Sequence, residues 1–426
     1  MKLLLKGGRV IDPASGTDRP LDVLIDEGKI VRLEPKIPES EGQTVDLSGL
    51  IVCPGFIDMH VHLRQPGQEW KETIATGTQA SAQGGFTAVA CMPNTLPVND
   101  CRAVTESILM ESEAKGAVRV YPIGCVTKGQ AGDQLAEMED MSSAGAVAFS
   151  DDGMPVRSSL MMRRALEYSR TLDVPVIDHC EDHELVDGGV MNEGEVSTRL
   201  GLKGWPSVAE DVIVQRDILL AEYTGGHVHI AHMSTARSAE FVREGKRRNV
   251  HVSCEVTPHH LLLTDLAVGD YDTNAKMNPP LRAETDRVGL LEALADGTVD
   301  AIATDHAPHH PDEKLVEFSC APFGVVGVET AVSLCLDRLV LAGVIDLPRM
   351  VELFTTGPAK VLRLDKGKLA VGAVADITVL DLERRVVVDC EKFASRSRNS
   401  PFAGWELKGQ PVLTLVGGRI VHDGRG

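Results

Sequence analysis

Residues 56–64 read FIDMHVHLR, and this stretch decides how the rest of the chain is interpreted. Its first half is apolar, as expected of a buried strand, and its second half carries two histidines and an arginine. His60 and His62 are two residues apart, so on a strand both side chains point to the same side. Two imidazoles on one face can bind one transition metal. Taken alone, the stretch fits a metal site and a merely polar strand end about equally well.

Seven more short apolar runs, rich in Val, Ile and Ala, follow the first one: 86–92, 118–125, 144–149, 174–179, 227–232, 250–256 and 299–304. Amphipathic helix patterns lie between them, at 102–115, 161–172, 208–223, 238–248 and 285–294. Apolar strands that alternate with helices are typical of a covered parallel sheet. Eight repeats predict an α/β protein with a TIM-type (β/α)8 barrel over residues 54–362. A doubly wound open sheet is the alternative, although no GxGxxG motif follows the first strand.

The two ends of the chain resemble each other. Residues 3–11 read LLLKGGRVI, and residues 413–421 read LTLVGGRIV. Each stretch predicts a strand, a Gly-Gly turn and a second strand. More strand candidates lie nearby, at 21–25, 29–33, 375–380 and 385–388. We therefore predict a small β-sandwich domain built from residues 1–53 and 363–426, with the barrel inserted between them. Two unrelated β segments are the alternative.

The composition excludes several classes of protein. The net charge is −19, from 43 Lys+Arg against 62 Asp+Glu, which argues against a nucleic-acid-binding protein. No apolar stretch approaches the roughly 20 residues of a membrane span. The apolar run near residue 1 is too short for a signal peptide. The nine cysteines are scattered without a CxxC pair, as in a reduced cytosolic protein. We expect a cytoplasmic protein with a small-molecule substrate.

Polar residues end several of the predicted strands. In a barrel of this type the carboxyl ends of the strands form one rim, and the active site lies there. The side chains that follow the first, fourth, fifth, sixth and eighth strands combine into one candidate set: His60, His62, an aspartate of the pair Asp151 and Asp152, His179, His232 and Asp305. Imidazole and carboxylate ligands suit Zn and its neighbours in the first transition row. Such a set can leave a water molecule bound, which predicts a catalytic metal site.

The chemistry of that site follows from its ligands. A metal lowers the pKa of bound water to about 7, which gives hydroxide at neutral pH. Asp305 ends the last strand, where it could accept the proton and return it to a leaving nitrogen.

A series of motifs in a fixed order resembles the cyclic amidohydrolases and, within them, the dihydroorotase family. The motifs are HVHLR (60–64), CMPNT (91–95), FSDDG (149–153), MNEG (191–194), VTPHH (256–260), KMNPPLR (276–282) and TDHAPH (304–309). The resemblance extends over the whole chain, including both ends. It implies the reversible interconversion of N-carbamoyl-L-aspartate and L-dihydroorotate in pyrimidine biosynthesis, with one or two zinc ions per subunit.

Carried over by position, the resemblance implies a role for each motif residue. The metal ligands would be His60, His62, Asp151, His179, His232 and Asp305, and Asp305 would also transfer the proton. Four residues would hold the substrate: Arg64, Asn94, Asn278 and His309. A guanidinium suits the substrate carboxylate, and Arg64 lies two residues beyond His62.

The loop after the last predicted strand is a candidate lid. Residues 309–324 are polar at the start, and Pro322 and Gly324 close the stretch. We predict that this loop covers the site and that Pro322 and Gly324 contact the substrate; an ordinary long loop is the alternative.

The fourth strand departs from the pattern of many relatives. Hydantoinases and allantoinases carry a carboxylated lysine there, which bridges two metals. Residues 145–151 read GAVAFSD and contain no lysine. Asp151 would take the place of the lysine, as in one dihydroorotase type, and Asp152 is the alternative ligand. A plain carboxylate can bridge two metals or bind one, so the metal count stays open.

Two other functions compete with this hypothesis. One is a hydantoinase or allantoinase, which the missing lysine argues against. The other is a non-catalytic partner of aspartate transcarbamoylase, which the complete ligand set argues against. For an active enzyme, we expect a homodimer with aspartate transcarbamoylase as a candidate partner. The other histidines are expected to be structural, to support the ligands or to lie at the surface: His227, His229, His251, His259, His260, His306, His310 and His422.

Overall fold

The computed structural model of the protein describes residues 2–425. Seven strands come before the barrel: β1 (Leu3–Lys6), β2 (Arg9–Asp12), β3 (Thr17–Pro20), β4 (Asp22–Asp26), β5 (Lys29–Glu34), β6 (Gln43–Asp46) and β7 (Ile51–Pro54). Ten follow in the middle: β8 (Phe56–Val61), β9 (Phe86–Cys91), β10 (Arg119–Gly124), β11 (Ala148–Phe149), β12 (Val176–Asp178), β13 (Met191–Asn192), β14 (Gly204–Trp205), β15 (Val228–Ile230), β16 (Val252–Val256) and β17 (Ala301–Ile302). Three end the chain: β18 (Ile377–Val387), β19 (Glu406–Val416) and β20 (Arg419–Asp423).

The α-helices lie in the middle of the chain, between β8 and β18. They are α1 (Ile74–Gln83), α2 (Arg102–Lys115), α3 (Met138–Ala144), α4 (Ser159–Leu172), α5 (His183–Val186), α6 (Glu195–Leu200), α7 (Val208–Thr224), α8 (Ala236–Arg247), α9 (Pro258–Leu262), α10 (Glu284–Ala295), α11 (Pro311–Lys314), α12 (Ala331–Cys335), α13 (Leu347–Phe354) and α14 (Thr356–Val361). Within residues 2–425, no helix has both the length and the apolar character needed to cross a bilayer.

The middle strands form the predicted barrel. Eight of them pair side by side and in parallel, in the order β8, β9, β10, β11, β12, β15, β16 and β17. A parallel bridge between Val61 and His306 joins the first strand to the segment after the last one. The backbone NH of His62 donates to the carbonyl of His306 at 2.8 Å across this seam. The barrel predicted from the sequence is therefore confirmed.

Each of the eight predicted runs contains one barrel strand, but the strands are shorter than the runs. The run 144–149 shows why: Ala144 ends α3, and Gly145 follows with a φ of 115°, so only Ala148 and Phe149 pair. All five predicted helices are present, and α2 has the predicted bounds. Side-chain caps fix several starts; the Ser158 hydroxyl, for example, accepts from the NH of Met161 at the start of α4.

Strands from both ends of the chain share one sheet. Its order is β20, β19, β18, β7, β2 and β3, and Val52 of β7 pairs with Val379 of β18. A second sheet, in the order β5, β4, β1 and β6, comes from the amino-terminal segment alone. One buried cluster contains Leu5, Val10 and Leu413, so the two ends also share a core. The boundaries proposed for this domain, at residues 53 and 363, stay a prediction.

The two similar ends do not fold alike. β19 and β20 form an antiparallel hairpin across Gly417 and Gly418, as predicted. β1 and β2 flank Gly7 and Gly8 but belong to different sheets. The amino-terminal Gly-Gly pair therefore passes the chain from one sheet to the other.

Candidate active site at the carboxyl ends of the barrel strands

Four histidines and two aspartates meet at the rim of the barrel. The Oδ1 atom of Asp152 lies 3.4 Å from Nε2 of His60, 3.6 Å from Nδ1 of His179 and 3.5 Å from Nε2 of His232. The Oδ1 atom of Asp305 lies 3.1 Å from Nε2 of His62 and 3.5 Å from Nε2 of His60. All six side chains are buried. Five of the six residues predicted as ligands are thus brought together; the sixth, Asp151, is not.

The side chain of Asp151 points away from the cluster. Its carboxylate accepts from the backbone NH of Thr127 at 3.0 Å and from the Thr127 hydroxyl. The carboxylates of Asp151 and Asp152 have different neighbours: that of Asp151 lies against Thr127, and that of Asp152 lies against the histidines. The aspartate of the cluster is Asp152 and not Asp151, which corrects the placement expected from the sequence. Burial raises the pKa of Asp151 to about 6.

The donor atoms of the cluster fit a divalent metal. Nε2 of His60 and Oδ1 of Asp152 are buried and, within residues 2–425, have no hydrogen-bond partner. Such atoms are rare in folded proteins and call for an explanation. Two groups have ligand atoms within 4.8 Å of one another: His60, His62 and Asp305, and His60, Asp152 and His232. Imidazole and carboxylate donors at this spacing are a set that a transition metal accepts.

The charges of the cluster favour ionised carboxylates. Burial by itself raises the pKa of Asp152, but His60, His179 and His232 hold this pKa well below its usual value. Burial acts in the same direction on Asp305, and there too His60 and His62 keep the pKa below its usual value. Both side chains are therefore ionised, and the ionised carboxylate is the form that binds a cation.

Partner side chains hold the outward ring nitrogens of His60, His62 and His179, whereas Nδ1 of His232 is buried without a hydrogen-bond partner within residues 2–425. His60 Nδ1 lies 2.7 Å from a carboxylate oxygen of Glu255, and His62 Nδ1 lies 2.8 Å from Oδ1 of Asn94. His179 Nε2 lies 3.0 Å from Glu181, which also accepts from Nδ2 of Asn278 at 2.9 Å. Partners of this kind fix the orientation of a ligand ring. Asn94 and Asn278 therefore support the candidate ligands as well as line the pocket.

The sequence analysis missed Glu255 and Glu181. Glu255 could have been found, because it is the one acidic residue in the apolar run 250–256. A carboxylate in a buried strand needs a partner, and that need points to a polar neighbour inside the barrel. Glu181 lies three residues after β12 and outside the apolar run 174–179, so no acidic residue within a buried strand marks its position.

Three residues of the site leave their strands through an uncommon backbone conformation. Arg64, His232 and Asp305 have φ angles of 60°, 30° and 47°. Non-glycine residues seldom adopt this left-handed region, and they do so mainly where the surrounding structure imposes it. All three residues belong to the site, so the strained backbone conformations lie where the functional side chains meet.

A cavity of about 290 Å³ opens above the cluster. Its walls include all the residues expected to contact the substrate: Arg64, Asn94, Asn278, His309, Pro322 and Gly324. The Nε atom of Arg64 donates to the carbonyl of Pro308 at 3.2 Å, and burial lowers the pKa of Arg64 to about 10. The guanidinium stays charged at neutral pH, so the cavity holds a fixed cation in an acidic protein.

Buried lysines fix the loop 309–324 against the barrel. Nζ of Lys314 donates to the carbonyls of Thr273 (3.0 Å) and Pro322 (2.8 Å). Nζ of Lys276 donates to the carbonyl of Phe318 at 2.7 Å. The loop carries the short helix α11 and rests on the pocket through Pro322 and its neighbours.

Asn399, from the segment between β18 and β19, completes this wall. Its Nδ2 donates to the carbonyls of Ala307 (3.1 Å) and Gly324 (3.0 Å), and its Oδ1 accepts from the backbone NH of His309 at 3.1 Å. One buried amide thus joins the two backbone segments that carry the pocket residues. The sequence analysis did not single out Asn399.

Comparisons with known proteins agree with this geometry. An amidohydrolase family model matches residues 282–422, and a dihydro-orotase-like family model matches residues 49–238. The solved L-hydantoinase (dihydropyrimidinase) of Arthrobacter aurescens has the same fold, with a TM-score of 0.90 over 99% of this chain and 96% of that one, at 24% identity. Fold and site together define an amidohydrolase that acts on a cyclic amide.

Two curated relatives narrow the assignment. The dihydroorotase of Citrifermentans bemidjiense is 55% identical over 99% of this chain and 100% of its own length. That of Pelotomaculum thermopropionicum is 56% identical over 100% of this chain and 99% of its own. The chain belongs to the dihydroorotase family.

Proposed function

We propose that this protein interconverts N-carbamoyl-L-aspartate and L-dihydroorotate in pyrimidine biosynthesis. The observation that carries the proposal is the buried cation of Arg64 in the wall of a small cavity whose floor is the His/Asp cluster. Both substrates carry a carboxylate, which a guanidinium binds well, and both carry the amide or ureide group on which the cluster would act.

We propose that the cluster holds one or two zinc ions. The ligands would be His60, His62, Asp152, His179, His232 and Asp305. Asp152 replaces Asp151 in this set because its carboxylate lies among the histidine nitrogens. A bound metal supplies a water molecule whose pKa falls to about 7, together with polarisation of the scissile carbonyl.

The chain's own residues would then complete the reaction. Arg64, Asn94, Asn278 and His309 orient the substrate, and Pro322 and Gly324 contact it from the loop. In the hydrolytic direction, Asp305 accepts a proton from the attacking water and delivers it to the ring nitrogen as the C–N bond breaks. In ring closure, the substrate carboxylate takes up one proton from solvent, and Asp305 moves the proton of the attacking ureido nitrogen to the hydroxyl group that leaves as water. Residues 309–324 would limit access of bulk water as a lid.

The assembly and location of the protein also belong to this proposal. A homodimer would cover apolar side chains that α7 exposes, which include Val212, Leu219 and Tyr223. Aspartate transcarbamoylase is the candidate partner because it would supply the carbamoyl aspartate. All nine cysteines are free thiols, which suits the reducing cytoplasm.

A two-direction assay combined with metal analysis tests the function. We expect turnover of dihydroorotate and of carbamoyl aspartate, loss of both after chelation, and recovery on addition of zinc. Turnover of hydantoin or allantoin without dihydroorotate would overturn the substrate assignment. Absence of activity with and without zinc, in the presence and absence of aspartate transcarbamoylase, would favour a non-catalytic role.

A further inference from the structure

A chain of hydrogen bonds crosses the inside of the barrel from the candidate metal centre to the opposite end. It begins at Nδ1 of His60, which lies 2.7 Å from Oε1 of Glu255. Oε2 of Glu255 lies 3.3 Å from Nε2 of His229, whose Nδ1 lies 2.7 Å from the hydroxyl of Ser253. The same hydroxyl lies 2.8 Å from Nε2 of His227. Five side chains from β8, β15 and β16 and the residue before β15 are thus connected in series.

Water has little access to these side chains. His60, Glu255 and His229 are 0% exposed, Ser253 is 6% exposed and His227 is 7% exposed. The His227 ring stacks on His251 with 4.0 Å between ring centroids, and both line a cavity of about 410 Å³ at the amino ends of the strands. Because the members are buried, each donor must find its acceptor inside the chain, and this requirement restricts the positions of the protons.

The direction of the bonds follows from Glu255. A glutamate side chain is a carboxylate at neutral pH, and Oε1 of Glu255 also accepts from the backbone NH of His232 at 3.2 Å. Both rings beside a carboxylate must donate, so His60 carries its proton on Nδ1 and His229 carries one on Nε2. A neutral His229 then accepts from the Ser253 hydroxyl, and the Ser253 oxygen accepts from Nε2–H of His227.

The far end of the chain agrees with this direction. The series leaves Nδ1 of His227 as a bare acceptor, and this atom is buried without a hydrogen-bond partner within the described residues 2–425. With the opposite direction at Ser253, His229 would be a cation and His227 would bury an unpaired N–H. The two directions therefore predict different tautomers of His227, which makes them distinguishable.

We infer that Glu255, His229 and Ser253 are positioning residues that hold His60 as its Nδ1–H tautomer, so that the bare Nε2 faces the candidate metal centre. The orientation of a ligand at one end of the barrel is then set by a series of side chains that extends to the other end. The inference rests on the proposed metal site, because a metal at Nε2 keeps a second proton off His60, whose Nε2 otherwise faces the carboxylates of Asp152 and Asp305. The tautomers of His229 and His227 are set within the series itself.

Histidine ¹⁵N NMR of the full-length protein, together with zinc competition titrations, tests the inference. We expect protons on Nδ1 of His60, Nε2 of His229 and Nε2 of His227. Glu255→Gln should weaken zinc binding by about 10–100-fold, the effect typical of removing such a partner. Ser253→Ala should weaken zinc binding by roughly 2–10-fold, as expected for one hydrogen bond, and should change the tautomer signals of His229 and His227.

Two further variants separate this role from simple loss of packing. Ser253→Thr keeps the hydroxyl and should restore both readouts, and it also covers the case in which the alanine variant does not fold. Ser81→Ala removes an equally buried hydroxyl, which bonds only within α1, and should change neither readout.

Several experimental results would contradict the inference about His60. An Nε2–H tautomer of His60, a proton on Nδ1 of His227, or wild-type zinc affinity and tautomers in Ser253→Ala would overturn the inference. If the wild-type protein binds no zinc, the proposed metal site fails, whereas the tautomer signals of His229 and His227 still decide whether the chain of hydrogen bonds exists.

Discussion

Residues 2–425 contain two buried clusters of potential metal ligands, and the two clusters differ in what balances their charge. The first is the His/Asp cluster at the barrel rim. The second consists of Asp178, Cys180 and Asp217, whose ligand atoms also lie within 4.8 Å of one another. In the second cluster, Arg216 donates to Asp217 at 2.7 Å and lies 3.5 Å from Asp178. The first cluster opens into a cavity, and two of its ligand atoms, His60 Nε2 and Asp152 Oδ1, have no hydrogen-bond partner. Among the described residues, no buried side-chain oxygen of the second cluster lacks a hydrogen-bond partner.

The difference shows that a short distance between ligand-type residues is a weak criterion for a metal site. The second cluster already holds a cation, the Arg216 guanidinium. Burial and the neighbouring Asp217 raise the pKa of Asp178 well above its usual value, so Asp178 favours its protonated form. The first cluster has histidines, unsatisfied acceptors and space for a ligand. We expect metal in the first cluster alone, and the predictions below test that contrast.

The largest effect is expected at Asp305. Asp305→Ala should lower turnover in both directions by about 10²–10⁴-fold, because the reaction loses its proton carrier. At saturating zinc most of the metal should remain bound although a direct ligand is lost, because five of the six proposed ligands are intact. Steady-state kinetics with metal analysis of the same samples measure both quantities, and near wild-type turnover would refute the proton-transfer role.

The pair Asp152 and Asp151 tests which aspartate belongs to the cluster. Asp152→Asn should weaken zinc binding by more than the roughly 100-fold that loss of an outer partner causes, because a direct ligand is lost. Asp151→Asn serves as the matched control and should keep the zinc affinity. The opposite pattern in a competition titration would restore the assignment expected from the sequence.

Arg216 tests the second cluster. Arg216→Met should lower the free energy of unfolding by about 3 kcal/mol, since two buried carboxylates lose their cation. Zinc per folded chain should stay at the wild-type value. Arg163→Met removes an exposed ion pair with Glu167 and should have little effect. Additional zinc bound by wild-type protein and lost in the Cys180→Ser variant would contradict the comparison.

Asn399 tests whether the pocket wall depends on the carboxyl-terminal segment. Asn399→Ala should lower kcat/KM by a factor that corresponds to about 2 kcal/mol, mainly through KM, because His309 and Gly324 lose their common anchor. Asn99→Ala removes an equally buried amide that bonds to Ile123 and Thr105 outside the pocket. That control should lower stability without raising KM. An unchanged KM in Asn399→Ala would show that the wall is held by other contacts.

Lys314 extends the comparison to a buried cation that has carbonyl partners. Burial lowers its pKa from the usual 10.5 to about 7 in the folded protein. Between these two values the unfolded chain binds more protons, so the free energy of unfolding should rise with pH, by at most about 1.4 kcal/mol per pH unit. Below pH 7 both states are protonated and this slope disappears.

Lys314→Met should flatten that slope in denaturant titrations at pH 7 to 9. Lys203→Met, which removes an exposed lysine paired with Asp187, should retain it. An identical slope in the wild type and in Lys314→Met would show that Lys314 keeps an ordinary pKa.

Sequence patterns predicted the barrel and most of the rim because both depend on short-range order. Apolar runs mark buried strands, and the polar residue after each run lies at the rim whatever the details of packing. Two aspartates follow the fourth strand, and the sequence does not show which of them faces the site. A shift of one residue at a strand end reverses the direction of the side chain, and local sequence does not encode such a shift, so Asp152 could not be distinguished from Asp151. Asn399 could not be found in this way, since it reaches His309 from another part of the chain, about 90 residues away.

The pairing of β7 with β18 has a consequence for the order in which the protein is made. Pro54 pairs with Ile377, so at a synthesis rate of about 5–20 residues per second the partner strand emerges roughly 15–60 s later. During that interval the edge of β7 is open to other strands. Asn399 emerges later still, and the pocket wall that it joins can therefore close only after residue 399 has left the ribosome.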